Sequence, residues 1–96
     1  MGAARRPQPK HLAGKLLEIR VALGLTQEEM AERLKKTPSP PQPAHISRFE
    51  QRSREPSLPV LLAYARLAGV SMDVLVDDTL HLPAKLPAKS ARTKKA

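Results

Sequence analysis

Residues 37–51, "TPSPPQPAHISRFEQ", constrain the fold more than any other stretch. Four prolines, Pro38, Pro40, Pro41 and Pro43, fall within six positions. Each removes a backbone donor and, inside a helix, collides with the preceding turn; each also pushes the residue before it away from helical geometry. No helix can run through this segment, which reads as a turn or polyproline II stretch. Immediately beyond it, Ile46 and Phe49 recur at helical spacing. Pro43 suits the first position of a helix, after Gln42 as N-cap. The spacing predicts a short helix over residues 43–51 that buries Ile46 and Phe49 and shows Ala44, His45, Ser47, Arg48 and Gln51 outward.

The flanking sequence supplies the scaffold for that helix. Leu12, Leu16, Ile19 and Leu23 form one apolar stripe at spacings of four, three and four, and Gly24 ends it as a left-handed cap residue would. Thr26 followed by Glu29 matches a capping box, with Met30, Ala31 and Leu34 as the buried side of a second helix. Later, Ser57 is a good N-cap, Pro59 is tolerated in a first turn and Gly69 marks an end. Leu58, Leu61, Leu62, Tyr64 and Ala65 are expected to face inward there. "VSMDVLVDD" predicts a short last helix capped by Ser71, with Asp73 near its positive end. No strand-like alternation of useful length occurs, so the fold class is all-α. The expected organisation is a disordered arm over residues 1–9, a helical domain over 10–78 and a disordered basic tail over 79–96 that contains the small repeat "LPAKLPAK".

Charge and composition narrow the function. The chain of 96 residues is one domain, and its net charge is +8. Residues 10–78 hold ten Lys/Arg and all nine Asp/Glu, so the excess sits on the two tails. Such tails favour polyanions, or simply keep the chain in solution. The absence of cysteine excludes disulfides and thiolate metal sites and fits a reducing compartment. Apolar runs are too short for a membrane span, so the expected location is the cytoplasm. With only Phe49 and Tyr64 as aromatics, an aromatic platform for stacking bases is disfavoured. His11, His45 and His81 are dispersed, without metal-ligand spacing. His45 and Ser47, two apart on a helix, point in different directions and form no catalytic pair. Neither a cofactor, a metal nor an enzymatic activity is expected.

A short helix with a small or polar outer face, following a turn and a capped helix, has the layout of a helix-turn-helix reader. Three segments make this specific. "LLEIRVALGLTQEEMAERL", "ISRFEQ" and "REPSLPVLLAYARLAGVSMDVLV", in that order over about residues 12–77, resemble the lambda-repressor-like, Cro-type (XRE) family of helix-turn-helix domains. The resemblance implies a five-helix bundle whose third helix enters the major groove of double-stranded DNA. It implies base contacts from Pro43, Ala44, His45, Ser47 and Arg48. Arg48 is foremost, because its fork of donors fits guanine O6 and N7, whereas Pro43 and Ala44 offer only apolar contact to a thymine methyl. It implies phosphate contacts from Thr26, Gln27, Lys35, Lys36, Gln42, Arg52 and Arg54, with Gln27 matching the family's phosphate-binding glutamine at the start of the second helix. Arg20 and Glu50 fall where some relatives pair an arginine of the first helix with a glutamate closing the third. Met72, Leu75 and Val76 either complete the core or form the two-fold interface of a homodimer. The connection from Lys35 to His45 is longer than relatives have. Its prolines favour a rigid loop that leaves the reading helix in place over one that tilts it.

Two functions compete on this reading. One is a sequence-specific DNA-binding transcriptional regulator, most simply a repressor that binds a (pseudo)palindromic operator as a dimer. The other is an antitoxin or adaptor that uses the same fold to hold a protein partner through the proline-rich loop or the C-terminal tail. A membrane-surface role is disfavoured because the cationic tails lack apolar anchors.

Overall fold

The computed structural model describes residues 8–87. These residues contain five helices and no strand: α1 (Leu12–Ala22), α2 (Gln27–Arg33), α3 (Pro43–Glu50), α4 (Leu58–Ala68) and α5 (Met72–Val76). α1 packs against α3, α4 and α5, and α2 packs against α3. Leu12, Leu16, Ile19 and Leu23 are all buried, so the predicted stripe is the face α1 turns to the core. Gly24, at φ 74°, closes α1: its N–H donates to the Val21 carbonyl, and that of Leu25 donates to the Arg20 carbonyl. This pair of bonds requires a left-handed residue, which glycine adopts without strain. Both halves of the α2 capping box are formed. Thr26 Oγ1 accepts from Glu29 N–H at 3.0 Å, and Glu29 Oε1 accepts from Thr26 N–H at 2.9 Å.

α4 is rotated from the expected setting. Its buried residues are Val60, Leu61, Tyr64, Ala65 and Ala68. Leu58 and Leu62, expected inside, are 64% and 38% exposed. The helix is apolar around most of its circumference, so periodicity does not decide which side enters the core. The stripe that does enter carries Tyr64, the largest fully buried side chain. Ser57 caps α4 through a 3.4 Å bond from Val60 N–H, and Gly69 at φ 78° ends it. Ser71 stands at the N-cap of α5, but its hydroxyl makes no capping bond; its carbonyl accepts from Val74 N–H instead.

Two ties between α1 and the end of the domain have no sequence signature. Lys15 is 5% exposed, and its Nζ donates to the carbonyls of Val74 at 2.7 Å and Asp77 at 3.1 Å. The ammonium thereby satisfies acceptors at the negative end of α5. In the opposite direction, the Asp78 carboxylate accepts from the backbone N–H groups of Lys10 at 2.8 Å and His11 at 3.0 Å, where α1 begins. These two bonds hold the Asp78 carboxyl below the usual carboxylate range. Leu82 and Leu86, inside the stretch read as tail, are partly buried and packed on the core. The rest of the arm and tail, residues 1–7 and 88–96, lies outside the described residues.

Candidate nucleic-acid interface

The long connection does not unseat α3. Thr37 turns back on α2, donating through both its N–H and its hydroxyl to the Leu34 carbonyl. Pro41 is buried, Ser39 takes a left-handed φ of 49°, and Pro43 occupies the first helical position. Ile46 and Phe49 anchor the inner side of α3 at 0% and 4% exposure.

A second anchor is polar. Arg20 Nε donates to Glu50 Oε2 at 2.6 Å, Arg20 Nη2 to Glu50 Oε1 at 3.0 Å, and Arg20 Nη1 to the Leu25 carbonyl at 2.9 Å. Gln27 Nε2 also donates to Glu50 Oε1, at 3.1 Å. One bidentate pair thus joins α1, the α1–α2 turn, the start of α2 and the end of α3. Its hydrogen bond to Glu50 pushes the Arg20 guanidinium further above its ordinary value, against the effect of its own burial. Tyr64 lies close enough to feel both charges. Burial first, and then Glu50, raises its phenol, whose buried oxygen has no hydrogen-bond partner among the described residues.

The outer side of α3 is differently equipped. Pro43, Ala44 and Arg48 are exposed, and His45 and Ser47 are half-buried. His45 Nδ1 accepts from Gln42 N–H at 3.1 Å, which satisfies a donor at the helix start. With Nδ1 accepting that bond, the ring hydrogen sits on Nε2, so His45 offers outward only a donor. It fits an acceptor such as guanine O6 or N7, or a phosphate oxygen. Ser47 Oγ accepts from Gln51 Nε2 at 3.0 Å and keeps its own hydroxyl proton to donate. The guanidinium groups of Arg48, Arg52 and Arg54 are exposed and have no ion-pair partner among the described residues.

Arg52 is also in an unusual backbone state. α3 ends with the same bond pair as α1: Arg52 N–H donates to the Phe49 carbonyl, and Ser53 N–H to the Arg48 carbonyl. The left-handed position, at φ 66°, is here an arginine. That conformation costs a non-glycine residue about 1–2 kcal/mol, and persistent strain of this kind clusters at functional sites.

The other predicted positions fall as follows. Thr26 and Gln27 stand at the start of α2, where Glu28 and Glu29 already supply negative charge to the first turn. With Gln27 bonded to Glu50, one hydrogen on its Nε2 remains for a phosphate. Lys35 pairs with Glu32 in an exposed contact, while Lys36 and Gln42 are exposed. Of the two alternatives for Leu75 the structure takes the core: at 0% exposure it has no surface to offer a second copy. Met72 and Val76 are half-buried beside it. Sequence reasoning missed Lys15, Val60 and the conformation of Arg52. Among the described residues no group of three His, Cys, Asp or Glu is placed to hold a metal ion, and no helix is long and apolar enough to cross a membrane.

The fold and site define a helix-turn-helix protein: a capped second helix, a turn, and a third helix locked from behind with its polar side free. Residues 11–78 match the family model described as a helix-turn-helix domain, and the chain belongs to that family. No curated protein matches the sequence.

Proposed function

We propose that this protein is a sequence-specific, double-stranded-DNA-binding transcriptional regulator of the cytoplasm, acting as a repressor by occupying its operator. The observation that supports this best is the pattern of pairing around α3. Every anchor lies on its inner side, through Ile46, Phe49 and the Arg20–Glu50 pair, while Arg48, Arg52 and Arg54 stand outside with no ion-pair partner among the described residues. Arg48 reads a guanine, with His45 and Ser47 as donors beside it and Pro43 and Ala44 as apolar neighbours. Arg52 and Arg54, with Thr26, Gln27, Lys35, Lys36 and Gln42, grip the phosphates and set the register. Dimerisation through Met72 and Val76 would present two reading helices to half-sites about 34 Å apart.

The test is selection of tight binders from random duplex DNA by the full chain, repeated with Arg48→Ala and with a chain ending at Pro87. That endpoint keeps Leu82 and Leu86 on the core. A palindromic motif that loses one base preference in Arg48→Ala and survives the truncation supports the reading. Binding without a motif, abolished by the truncation, refutes it and leaves only the charge of the tail.

A further inference from the structure

The exposed side of α4 forms one wall of a groove that shares only Lys36 with the proposed DNA contacts. Pro59, Leu62, Ala63, Arg66 and Leu67 fall at helical spacing on one face, beside the buried stripe. Arg33 at the end of α2 and Lys36 in the connection beyond it, with Thr37 and Pro38, form the facing wall. The groove encloses about 470 Å³, within the range of sites that hold small ligands or peptide side chains. Its walls are apolar, with Leu62 38% exposed. Its rim carries three exposed cations, Arg33, Lys36 and Arg66, which among the described residues have no ion-pair partner and no acid lining the groove beside them.

We propose that this groove binds a partner protein through an acidic amphipathic segment, with a bulky apolar side chain seated on Leu62 and Pro59 and carboxylates on Arg33, Lys36 and Arg66. Charge complementarity selects the acid, and the apolar walls select a peptide over a nucleic acid. A phosphate backbone has no apolar group to fill the groove, and both aromatic side chains on which a base would stack, Phe49 and Tyr64, are buried elsewhere. The apolar circumference of α4 then has two uses, one stripe for the core and one for the partner.

The experiment starts with phage-displayed random peptides selected on the full chain. The expected winners carry two or more Asp or Glu around a Leu, Ile or Phe. Anisotropy of the best winner, labelled and titrated, should weaken roughly tenfold or more in Arg66→Glu and in Arg33→Glu, as reversing an interfacial charge turns attraction into repulsion. Arg48→Ala should leave peptide binding unchanged. Both reversals are at exposed positions, and thermal melts confirm that the variants fold. Winners without acidic bias, no winners, or affinity unchanged in both reversals overturn the proposal. So does loss of duplex-DNA binding in Arg66→Glu as large as in Arg48→Ala, which would make the groove part of the DNA face. A dimer that dissociates in Arg66→Glu, seen by sedimentation, would make a second copy the occupant and overturn it equally. Failure of the DNA reading leaves every one of these peptide measurements interpretable.

Discussion

Removing Glu50 should be among the most damaging single changes outside the apolar core. Its carboxylate accepts from Arg20 Nε, Arg20 Nη2 and Gln27 Nε2. The two side chains of the pair, Arg20 and Glu50, are 16% and 7% exposed. Losing one partner of a buried pair costs about 3–5 kcal/mol, and an exposed pair contributes under about 1 kcal/mol. The exposures place this pair near the buried limit, relieved somewhat because the freed guanidinium keeps the Leu25 carbonyl and a solvent edge. Glu50→Ala is therefore expected to lose about 2–4 kcal/mol, with a coupling to Arg20→Ala of about 1.5–3 kcal/mol in a double-mutant cycle. Urea denaturation followed by helical circular dichroism reads all four proteins. A domain of this size has a total stability of only about 5 kcal/mol, so the cycle is run at low temperature with Glu50→Gln as a milder step. Exchanging the charges, Arg20→Glu with Glu50→Arg, should not restore stability. A carboxylate at position 20 would face the Leu25 carbonyl, and the Gln27 amide would meet a guanidinium. A coupling below about 0.5 kcal/mol, the range of surface pairs, or full rescue by the exchange, would refute the assignment of this pair as the lock on α3.

Three further outcomes follow from particular residues. Arg52→Gly should raise stability by about 1 kcal/mol by relieving the left-handed strain, while weakening DNA binding and lowering the slope of log affinity against log salt by about one; both are read by melting and by titration at several salt concentrations. Tyr64→Phe should be neutral or stabilising by up to about 1 kcal/mol, because it deletes a buried hydroxyl without a partner among the described residues, and a clear loss in thermal denaturation would show that the hydroxyl is satisfied. The carboxyl of Asp78 is depressed in the folded state relative to the unfolded one. Its contribution is thus complete at neutral pH and disappears as the pH falls below about 4, so acid titration of stability should be flatter in Asp78→Ala than in the parent.

What was legible in the sequence is what the chain arranges over a few residues. The α1 stripe, the Thr26–Glu29 box, Pro43 at a helix start and Gly24 and Gly69 at helix ends all join groups within one or two turns, and all are present as read. The setting of α4 was not legible, because leucines surround it and only the neighbours decide which of them are covered. Lys15 and Asp78 look like ordinary surface charges until their partners, some sixty residues away, are brought beside them. Arg52 hid its role because the usual mark of a left-handed helix end is glycine. The Arg20–Glu50 pair was visible only by resemblance to a family, since nothing in a separation of 30 residues announces a contact. At the interface itself, sequence supplied the residue types of α3, but which hydrogen of His45 or Gln27 remains free is a product of the folded neighbours.

The reciprocal capping between α1 and the end of the domain bears on the order in which the chain can fold. Its four bonds span 59 to 68 residues, whereas the contact of α2 with α3 crosses only the proline loop. Entropy of closure grows with the logarithm of the loop, so the α2–α3 unit can form early and the clasp must close late. During synthesis, the Lys10 and His11 amides just ahead of α1 emerge without this acceptor and wait for residue 78. A nascent chain halted before that point holds α3 but no fastened scaffold, and the ability to present α3 firmly arrives with the last residues of the domain rather than with α3 itself.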